Sequence, residues 1–279
     1  MLCVDIGARV VEAMSFGPHT VGERTLADRM RPGLSEGSVV LMDRNLTSYS
    51  FLWDLKRQGL DFVVRAKHKM KAELLHALGP GDFVVRITLP RQLRRARPDL
   101  PKHGTLREIV FDGRGARDPL RLFTTLLSPS VTAGEIDALY LRRWDEETTN
   151  DELKTHLGDA ATVNRPLVLR SRNPQRVAQE LHGLRIAYNA VRRLMVNSGG
   201  TSVPRIDPLR LSFTAALERL REAIRDIARP PAYLLPERHA QLLQAVARGV
   251  VPDRPGRSCP RAVCVKMSSY AQKEKLRAG

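Results

Sequence analysis

Four side chains between residues 140 and 154 have the types and the spacing to bind a phosphate-containing ligand. On an α-helix each residue turns by roughly 100°. Four residues then fall within an arc of roughly 60° on one face: Tyr140, Arg143, Glu147 and Lys154. Arginine binds phosphate as a fork, lysine binds it as a point charge, and a tyrosine can donate its hydroxyl or stack on a base. Glu146 points away from this face. The alternative is a solvated helix with alternating charges, which is common on protein surfaces.

An aspartate at the end of a predicted strand supplies a second acidic group. The apolar run SVVLMD is bounded by turn residues and predicts a buried strand that ends at Asp43. Functional side chains often follow strands in open α/β sheets, although a turn aspartate can instead cap its own loop. Asp43 facing Glu147 would suit a hard cation such as Mg²⁺, and two such ions can clamp the oxygens of a phosphoryl transfer. Trp144 could stack on a base or lie in the core, and we expect the core.

The composition favours a polyanionic partner. The 279 residues contain 46 Lys and Arg against 30 Asp and Glu, which gives a formal net charge of +16. Such a field attracts nucleic acid first and an anionic membrane surface second. The membrane alternative lacks support, because no apolar stretch approaches the length of a spanning helix. The first residues lack the basic region of a signal peptide, and the 3 cysteines make no disulfide framework. A soluble, cytosolic, polyanion-binding protein is predicted.

The order of the predicted elements is that of an α/β protein. LCVD and VVEAMSF predict two strands joined by a turn at Gly7, and Ser48 can cap a later helix. Short strands with Gly-, Pro- and Arg-rich connections follow up to residue 127. One long helix is predicted over residues 132–157, with Thr132 and Glu135 in capping-box spacing. A further long helix begins at Asn173 and Pro174, and another covers LSFTAALERLREAIRDIA.

These residues carry a resemblance to a known family. The pattern Tyr140-x2-Arg143-x3-Glu147-x6-Lys154 matches, at every spacing, the Y-R-E-K signature of the DDE transposases of insertion-sequence family four. The segment SVVLMDRNLTSYSFLWDLKRQG resembles the family's segment around its second catalytic aspartate, which falls on Asp43. NPQRVAQELHGLRIAYNAVRRLM resembles the helical region after the catalytic glutamate. The resemblance covers roughly residues 1 to 230 and is far more specific than a lone acidic pair.

The resemblance implies a fold and an activity. The fold would be α/β, a ribonuclease-H-like core interrupted by a β-rich insertion and followed by C-terminal helices. The segments would be 1–60 (first part of the core), 61–131 (insertion), 132–230 (rest of the core) and 231–279 (a basic, loosely ordered tail). The activity would be cut-and-paste DNA transposition with Mg²⁺ or Mn²⁺. The partners would be transposon-end and target DNA, with a homodimer assembled on them, in the bacterial cytoplasm at the nucleoid.

The resemblance also assigns the site residues. Asp43 and Glu147 would be the catalytic metal ligands, and the transposon end would be gripped by Tyr140, Arg143 and Lys154. In the family the first catalytic aspartate lies on a strand before the hairpin with which this sequence opens. Asp5 is the only acid in an early strand, and we do not expect it to replace that ligand.

We therefore expect a truncated transposase that lacks the first strand of its core, through a decayed gene or a mis-assigned start. Such a copy could be inactive. Two alternatives stay open. One is a DNA-binding remnant without catalysis, and the other is a metal-dependent nuclease without strand transfer.

Overall fold

The computed structural model describes residues 1–67, 70–112, 119–157, 168–227 and 231–252. Within these ranges the chain has a mixed α/β architecture, as predicted, with a two-stranded and a six-stranded sheet. The strands are β1 (Leu2–Asp5), β2 (Val10–Met14), β3 (Val39–Met42), β4 (Asp61–Arg65), β5 (Glu73–Gly79), β6 (Asp82–Thr88), β7 (His103–Phe111) and β8 (Leu120–Thr124). The helices are α1 (Glu23–Met30), α2 (Tyr49–Arg57), α3 (Arg91–Ala96), α4 (Ala133–Leu141), α5 (Trp144–Asp151), α6 (Pro174–Thr201), α7 (Phe213–Ile227) and α8 (Leu235–Ala247).

The large sheet has the strand order β3-β4-β8-β7-β6-β5. β3 and β4 are parallel, and every other neighbouring pair is antiparallel. β5 and α3 were not predicted, because ELLHALG and RQLRRA carry no clear strand or helix pattern. The sheet joins β3 to strands that follow residue 60, so one hydrogen-bonded unit crosses the predicted boundary at which the insertion begins. That boundary remains a prediction.

Both faces of this sheet are covered, which explains why its central strands are apolar at consecutive positions. Side chains alternate between the two faces of a strand. In β4, Phe62 and Val64 pack into a core with Trp53 of α2, whereas Val63 packs on the other face against Ile136 of α4. The three β4 side chains are fully buried. The apolar run therefore reports burial on both faces.

The N-terminal hairpin of β1 and β2 packs against the C-terminal helices in a separate core. Val11 is fully buried beside residues of α6, α7 and α8. The side-chain amide of Asn189 pairs with both backbone groups of Val11, accepting from its N–H at 2.9 Å and donating to its carbonyl at 3.0 Å. Arg185 donates to the same carbonyl at 3.0 Å. The free edge of β2 is thus covered by side chains of α6.

The predicted helix starts are confirmed in atomic detail. The Ser48 hydroxyl accepts from the N–H of Phe51 at 3.3 Å, and Thr132 and Glu135 form both bonds of a capping box. The Asn173 side chain accepts from the N–H of Gln175 at 2.9 Å at the start of α6. Each prediction relied on chemistry within four residues, which explains its success.

The prediction of a loosely ordered tail from residue 231 is wrong over part of its length. Residues 235–247 form α8, and Leu242 and Val246 are buried against α6 and α7. The apolar stripe of this helix supplies the free energy for its order, although the surrounding sequence is basic. Residues 253–279 lie outside the described residues. No helix in the described ranges is long and apolar enough to cross a membrane.

Candidate functional site

Asp43 lies directly after β3, where the parallel pair of strands ends. Met42 before it is buried, and Asp43 itself is exposed. Asp43 occupies the N-cap position of a short 3-10 turn, Arg44–Leu46, but its side chain makes no capping hydrogen bond there. The alternative in which Asp43 caps its own loop is therefore wrong.

Tyr140 lies at the C-terminal end of α4 and is nearly buried. Its ring packs with Val63 and Ile136, and only 8% of the residue is exposed. Burial raises the pKa of the Tyr140 hydroxyl, and the negative charge of Asp43 raises it further, while Arg143 lowers it. The charge of Asp43 therefore acts on the Tyr140 hydroxyl. The phenol stays neutral and can donate a hydrogen bond.

Arg143 connects Tyr140 to the glutamate of the signature. Its guanidinium carbon lies 6.0 Å from the centre of the Tyr140 ring and 5.1 Å from that of Trp144. Its Nη1 lies 3.5 Å from Oε1 of Glu147, whose side chain is 38% exposed. Tyr140, Arg143 and Glu147 thus form one group of side chains, and the charge of Asp43 acts on its Tyr140 hydroxyl. Trp144 is 44% exposed, so its expected place in the core is wrong, and the base-stacking alternative remains a prediction.

Lys154 lies further along the same segment, in a different local environment. It is exposed, and its charge acts on the amino group of Met1 together with that of Glu146. Glu146 is half-buried, and burial raises the pKa of its carboxyl group, with a further contribution from the charge of Glu147. The charges of Lys154 and Glu146 therefore both act on the Met1 amino group.

The prediction of one continuous α-helix over residues 132–157 is wrong. α4 ends at Leu141, α5 begins at Trp144, and residues Glu152–His156 form a π-helical turn. Because the winding changes twice, a constant 100° per residue does not describe the whole face. The structure still brings Tyr140, Arg143 and Glu147 together, whereas Lys154 follows the π turn.

The cause of the first interruption is a buried aspartate that sequence reasoning missed. Asp145 accepts from Arg9 at 2.7 and 2.9 Å and from Nε of Arg142 at 2.8 Å, and Arg142 also donates to the carbonyl of Ile6. These bonds tie the start of α5 to the turn of the N-terminal hairpin. In the sequence Asp145 stands among other charged residues, so nothing local distinguishes it.

A second buried group was also missed, at the start of the π turn. Glu152 is 8% exposed and pairs with Arg192 of α6, which is 1% exposed. One signal could have revealed it. Arg192 falls on the same face of α6 as the apolar residues Tyr188, Val191 and Met195, and an arginine within an apolar face requires a buried acidic partner.

Asp5 serves the hairpin turn. Its Oδ1 accepts from the N–H of Gly7 at 3.2 Å, and its Oδ2 accepts from the N–H of Ala8 at 2.9 Å. Both carboxylate oxygens are therefore engaged by backbone donors, and the expectation that Asp5 does not replace the family's first aspartate stays a prediction. In the part of the chain that the structure describes, no group of three or more His, Cys, Asp or Glu residues is arranged to hold a metal ion.

Comparisons with known proteins match the chain to one family. The family model described as "Transposase DDE domain" matches residues 1–190. A relative, the transposase InsG for insertion sequence element IS4 of Escherichia coli (strain K12), is 26% identical over 268 residues. The alignment covers 94% of this chain and 59% of the relative. The chain therefore spans about three fifths of the length of that curated relative. From the match over residues 1–190, we conclude that the chain belongs to the family of transposases with a DDE domain, and it is similar to a transposase of insertion sequence IS4.

Proposed function

We propose that the chain takes part in metal-dependent cut-and-paste transposition of an insertion sequence, with Asp43 and Glu147 as its metal ligands. The observation that supports this most directly is the ion pair of Arg143 with Glu147 beside Tyr140, whose hydroxyl also experiences the charge of Asp43 from a distant part of the sequence. Transposition by the whole relative involves a longer chain, so the complete activity is part of the proposal and not of the family assignment.

The two carboxylates fit a divalent cation in chemical type and in access. Asp43 is exposed and does not cap its turn, and Glu147 is half-exposed with one oxygen facing Arg143. Mg²⁺ commonly uses one or two protein carboxylates and completes its shell with water and phosphate oxygens. We propose Mg²⁺ or Mn²⁺ here. When bound, the ion would supply charge neutralisation and activation of the attacking hydroxyl.

The other signature residues would hold the DNA. Arg143 is fixed by Glu147 and by two aromatic rings, so its planar fork is oriented before a phosphate arrives. The neutral Tyr140 hydroxyl can donate to a phosphate oxygen. Lys154 is exposed and adds a point charge at the other end of the group. Phosphoryl transfer requires mainly positioning and charge neutralisation, and these side chains provide both.

The wider proposal follows from the family. We propose that residues 1–60 and 132–230 form a ribonuclease-H-like core that the β-rich residues 61–131 interrupt. The partners would be transposon ends and target DNA, bound by a homodimer. The site of action would be the bacterial cytoplasm at the nucleoid. The net charge of +16 supports the DNA partner.

A second function, DNA binding without cleavage, is favoured by one specific observation. The Asp5 carboxylate is held by its own turn, and no third acidic residue joins Asp43 and Glu147 within the described ranges. If the site needs three carboxylates, as the family resemblance implies, the 279-residue chain would bind DNA ends and cut them poorly.

A cleavage assay on DNA carrying the element's ends tests both functions. The assay uses Mg²⁺ or Mn²⁺ and compares the 279-residue chain with a version extended by the upstream segment of the relative. In either version that cleaves, we expect Asp43→Asn and Glu147→Gln to abolish cleavage while DNA binding persists. Asp151→Asn, an exposed acid on the same helix, is the matched control.

Three results would contradict this scheme. Cleavage by the 279-residue chain that disappears in Asp5→Asn would assign the third carboxylate to Asp5. Cleavage without preference for the element's ends and without strand transfer would indicate a nuclease. Retained cleavage in Asp43→Asn or Glu147→Gln would refute the metal-ligand assignment.

A further inference from the structure

A buried hydrogen-bonded chain anchors the segment that carries Lys154. The hydroxyl of Tyr188 donates to Oε2 of Glu152 at 2.8 Å, and Nε of Arg192 donates to the Tyr188 oxygen at 3.0 Å. Arg192 also donates directly to Glu152 through Nη2. The guanidinium lies over the rings of Tyr188 and Phe213, 5.7 and 5.3 Å from their centres. Glu152 is therefore held by two residues of α6, Tyr188 and Arg192.

This anchor coincides with the first residue of the π turn. The N–H of Leu157 donates to the carbonyl of Glu152 at 3.1 Å, a bond across five residues that encloses one residue more than an α-helical turn. Leu153 and Leu157 pack against the same core as Tyr188, whereas Lys154 is exposed. The π turn thus lets Glu152 and Leu157 both face the core and directs Lys154 outward.

A buried ion pair fixes geometry more effectively than it adds stability. Taking two charges out of water offsets most of their attraction, so apolar side chains of similar size would stabilise the same contact as well or better. Apolar side chains would, however, allow the segment to rotate or slide, because their contacts are non-directional. Two directional hydrogen bonds on one carboxylate oxygen, from Tyr188 and from Arg192, define the position of Glu152 and restrict that of Lys154 two positions later.

We propose that Glu152, Tyr188 and Arg192 are positioning residues for Lys154, and that they set its ammonium against the phosphates of the bound DNA end. The inference rests on the proposed role of Lys154 in binding DNA, and it adds residues that lie outside the Y-R-E-K signature. It also gives the C-terminal helices a part in the site, because α6 supplies both Tyr188 and Arg192.

The test is a mutant cycle on DNA affinity, measured by fluorescence anisotropy with a duplex that carries the element's terminal sequence. Lys154→Ala should weaken binding, and it should reduce the dependence of log affinity on log salt concentration by about one unit, as expected for one phosphate contact. Glu152→Gln and Tyr188→Phe should each produce part or all of the same two changes. In the double variants with Lys154→Ala, neither should cause any further loss.

A matched control separates positioning from general stability. Asp82 and Arg107 form a comparable buried pair in the large sheet, with Nη2 of Arg107 2.6 Å from Oδ2 of Asp82. Asp82→Asn should destabilise the protein without changing the salt dependence. All variants are compared at a temperature at which circular dichroism shows them folded. Tyr188→Phe keeps both charges, so it provides the test if Glu152→Gln fails to fold.

The outcomes distinguish the two proposals. If Lys154→Ala leaves affinity and salt dependence unchanged, the proposed role of Lys154 fails and the positioning inference fails with it. If Lys154→Ala weakens binding but Tyr188→Phe does not, or if their effects add in the double variant, the positioning inference alone is refuted.

Discussion

Two aspartates near the start of the chain show how the same side chain acquires different roles. Asp5 accepts two backbone N–H groups of its own turn, whereas Asp43 leaves its turn uncapped and acts on Tyr140. The sequence places both at strand ends and cannot tell them apart, because the difference depends on which donors the folded turn presents. The environment of Asp5 is set by hydrogen bonds within its own turn. The environment of Asp43 includes the Tyr140 hydroxyl, about a hundred positions later in the sequence.

Substitution of Asp5 and of Asp43 should have different effects on the stability of the protein. Asp5→Ala removes the acceptor for two backbone donors and should lower the free energy of unfolding by about 1–2 kcal/mol. Asp43→Ala should change it by less than about 0.5 kcal/mol, as for most exposed positions. Urea unfolding monitored by circular dichroism measures both. Equal losses would show that Asp43 has a structural role comparable to that of Asp5.

Substitutions of the neighbouring residues Arg142 and Arg143 should also differ in their effects on DNA affinity and on stability. Arg143→Ala and Lys154→Ala should weaken binding to DNA ends, because we assign both side chains to phosphates. Arg142 is engaged by Asp145 and the carbonyl of Ile6, so Arg142→Ala should mainly reduce stability, by about 1–3 kcal/mol. Anisotropy titrations and urea unfolding on the same proteins provide the comparison. Equal losses of DNA affinity in all three variants would contradict this assignment.

At the scale of elements, the sequence predicted where helices begin but not where they change. The capping box of Thr132 and the Asn173 cap involve residues within one turn, and both are present. The break after Leu141 and the π turn at Glu152 depend instead on partners in the hairpin and in α6. Periodicity reports which residues face a core, and it carries no information about a buried ion pair formed across the fold.

The contact between α2 and the large sheet requires a glycine in β7. A Cβ on Gly104 would lie 1.5 Å from the Trp53 ring, whereas a Cβ on Gly134 of α4 would meet nothing within 4 Å. Gly104→Ala should therefore lower the free energy of unfolding by roughly 1–3 kcal/mol, through overpacking. Gly134→Ala should be neutral or stabilising by up to about 1 kcal/mol. Thermal and urea unfolding measure both, and a neutral Gly104→Ala would refute the close packing of Trp53.

The anchor on α6 should make stability sensitive to alkaline pH. Burial raises the pKa of Tyr188 to about 12. The folded state thus retains a proton that the unfolded state releases near pH 10, so this contribution is full below about pH 10 and is lost as pH rises toward about 12. The loss is on the order of 2 kcal/mol. In urea unfolding across this range, Tyr188→Phe should reduce the decline, whereas Tyr233→Phe, at an exposed ring, should not.

At the scale of the molecule, the net charge is the feature of the sequence that most directly favours the proposed DNA partner. The excess of 16 positive charges needs no folded structure to be recognised, and it pointed to nucleic acid before any motif was considered. The fold class and most elements also followed from pattern. The packing of the N-terminal hairpin against α5 and α6 could not be predicted from the sequence. It depends on contacts between residues as far as 178 positions apart.

The same charge predicts a strong dependence of DNA affinity on salt. Phosphate contacts release counterions, so affinity should fall by on the order of tenfold or more between low and physiological ionic strength. An anisotropy titration at several salt concentrations measures the slope. A flat response would show that phosphate contacts do not dominate binding.

The pairing of Val11 with Asn189 has a consequence for synthesis on the ribosome. The outer edge of β2 is completed by a side chain 178 residues later, so the hairpin cannot reach its final state when it leaves the exit tunnel. At about 5–20 residues per second, α6 arrives roughly 10–40 s afterwards. During that interval the edge offers unpaired backbone groups to other nascent strands. The N-terminal hairpin is therefore the part of the chain that most needs protection by a chaperone until α6 is made.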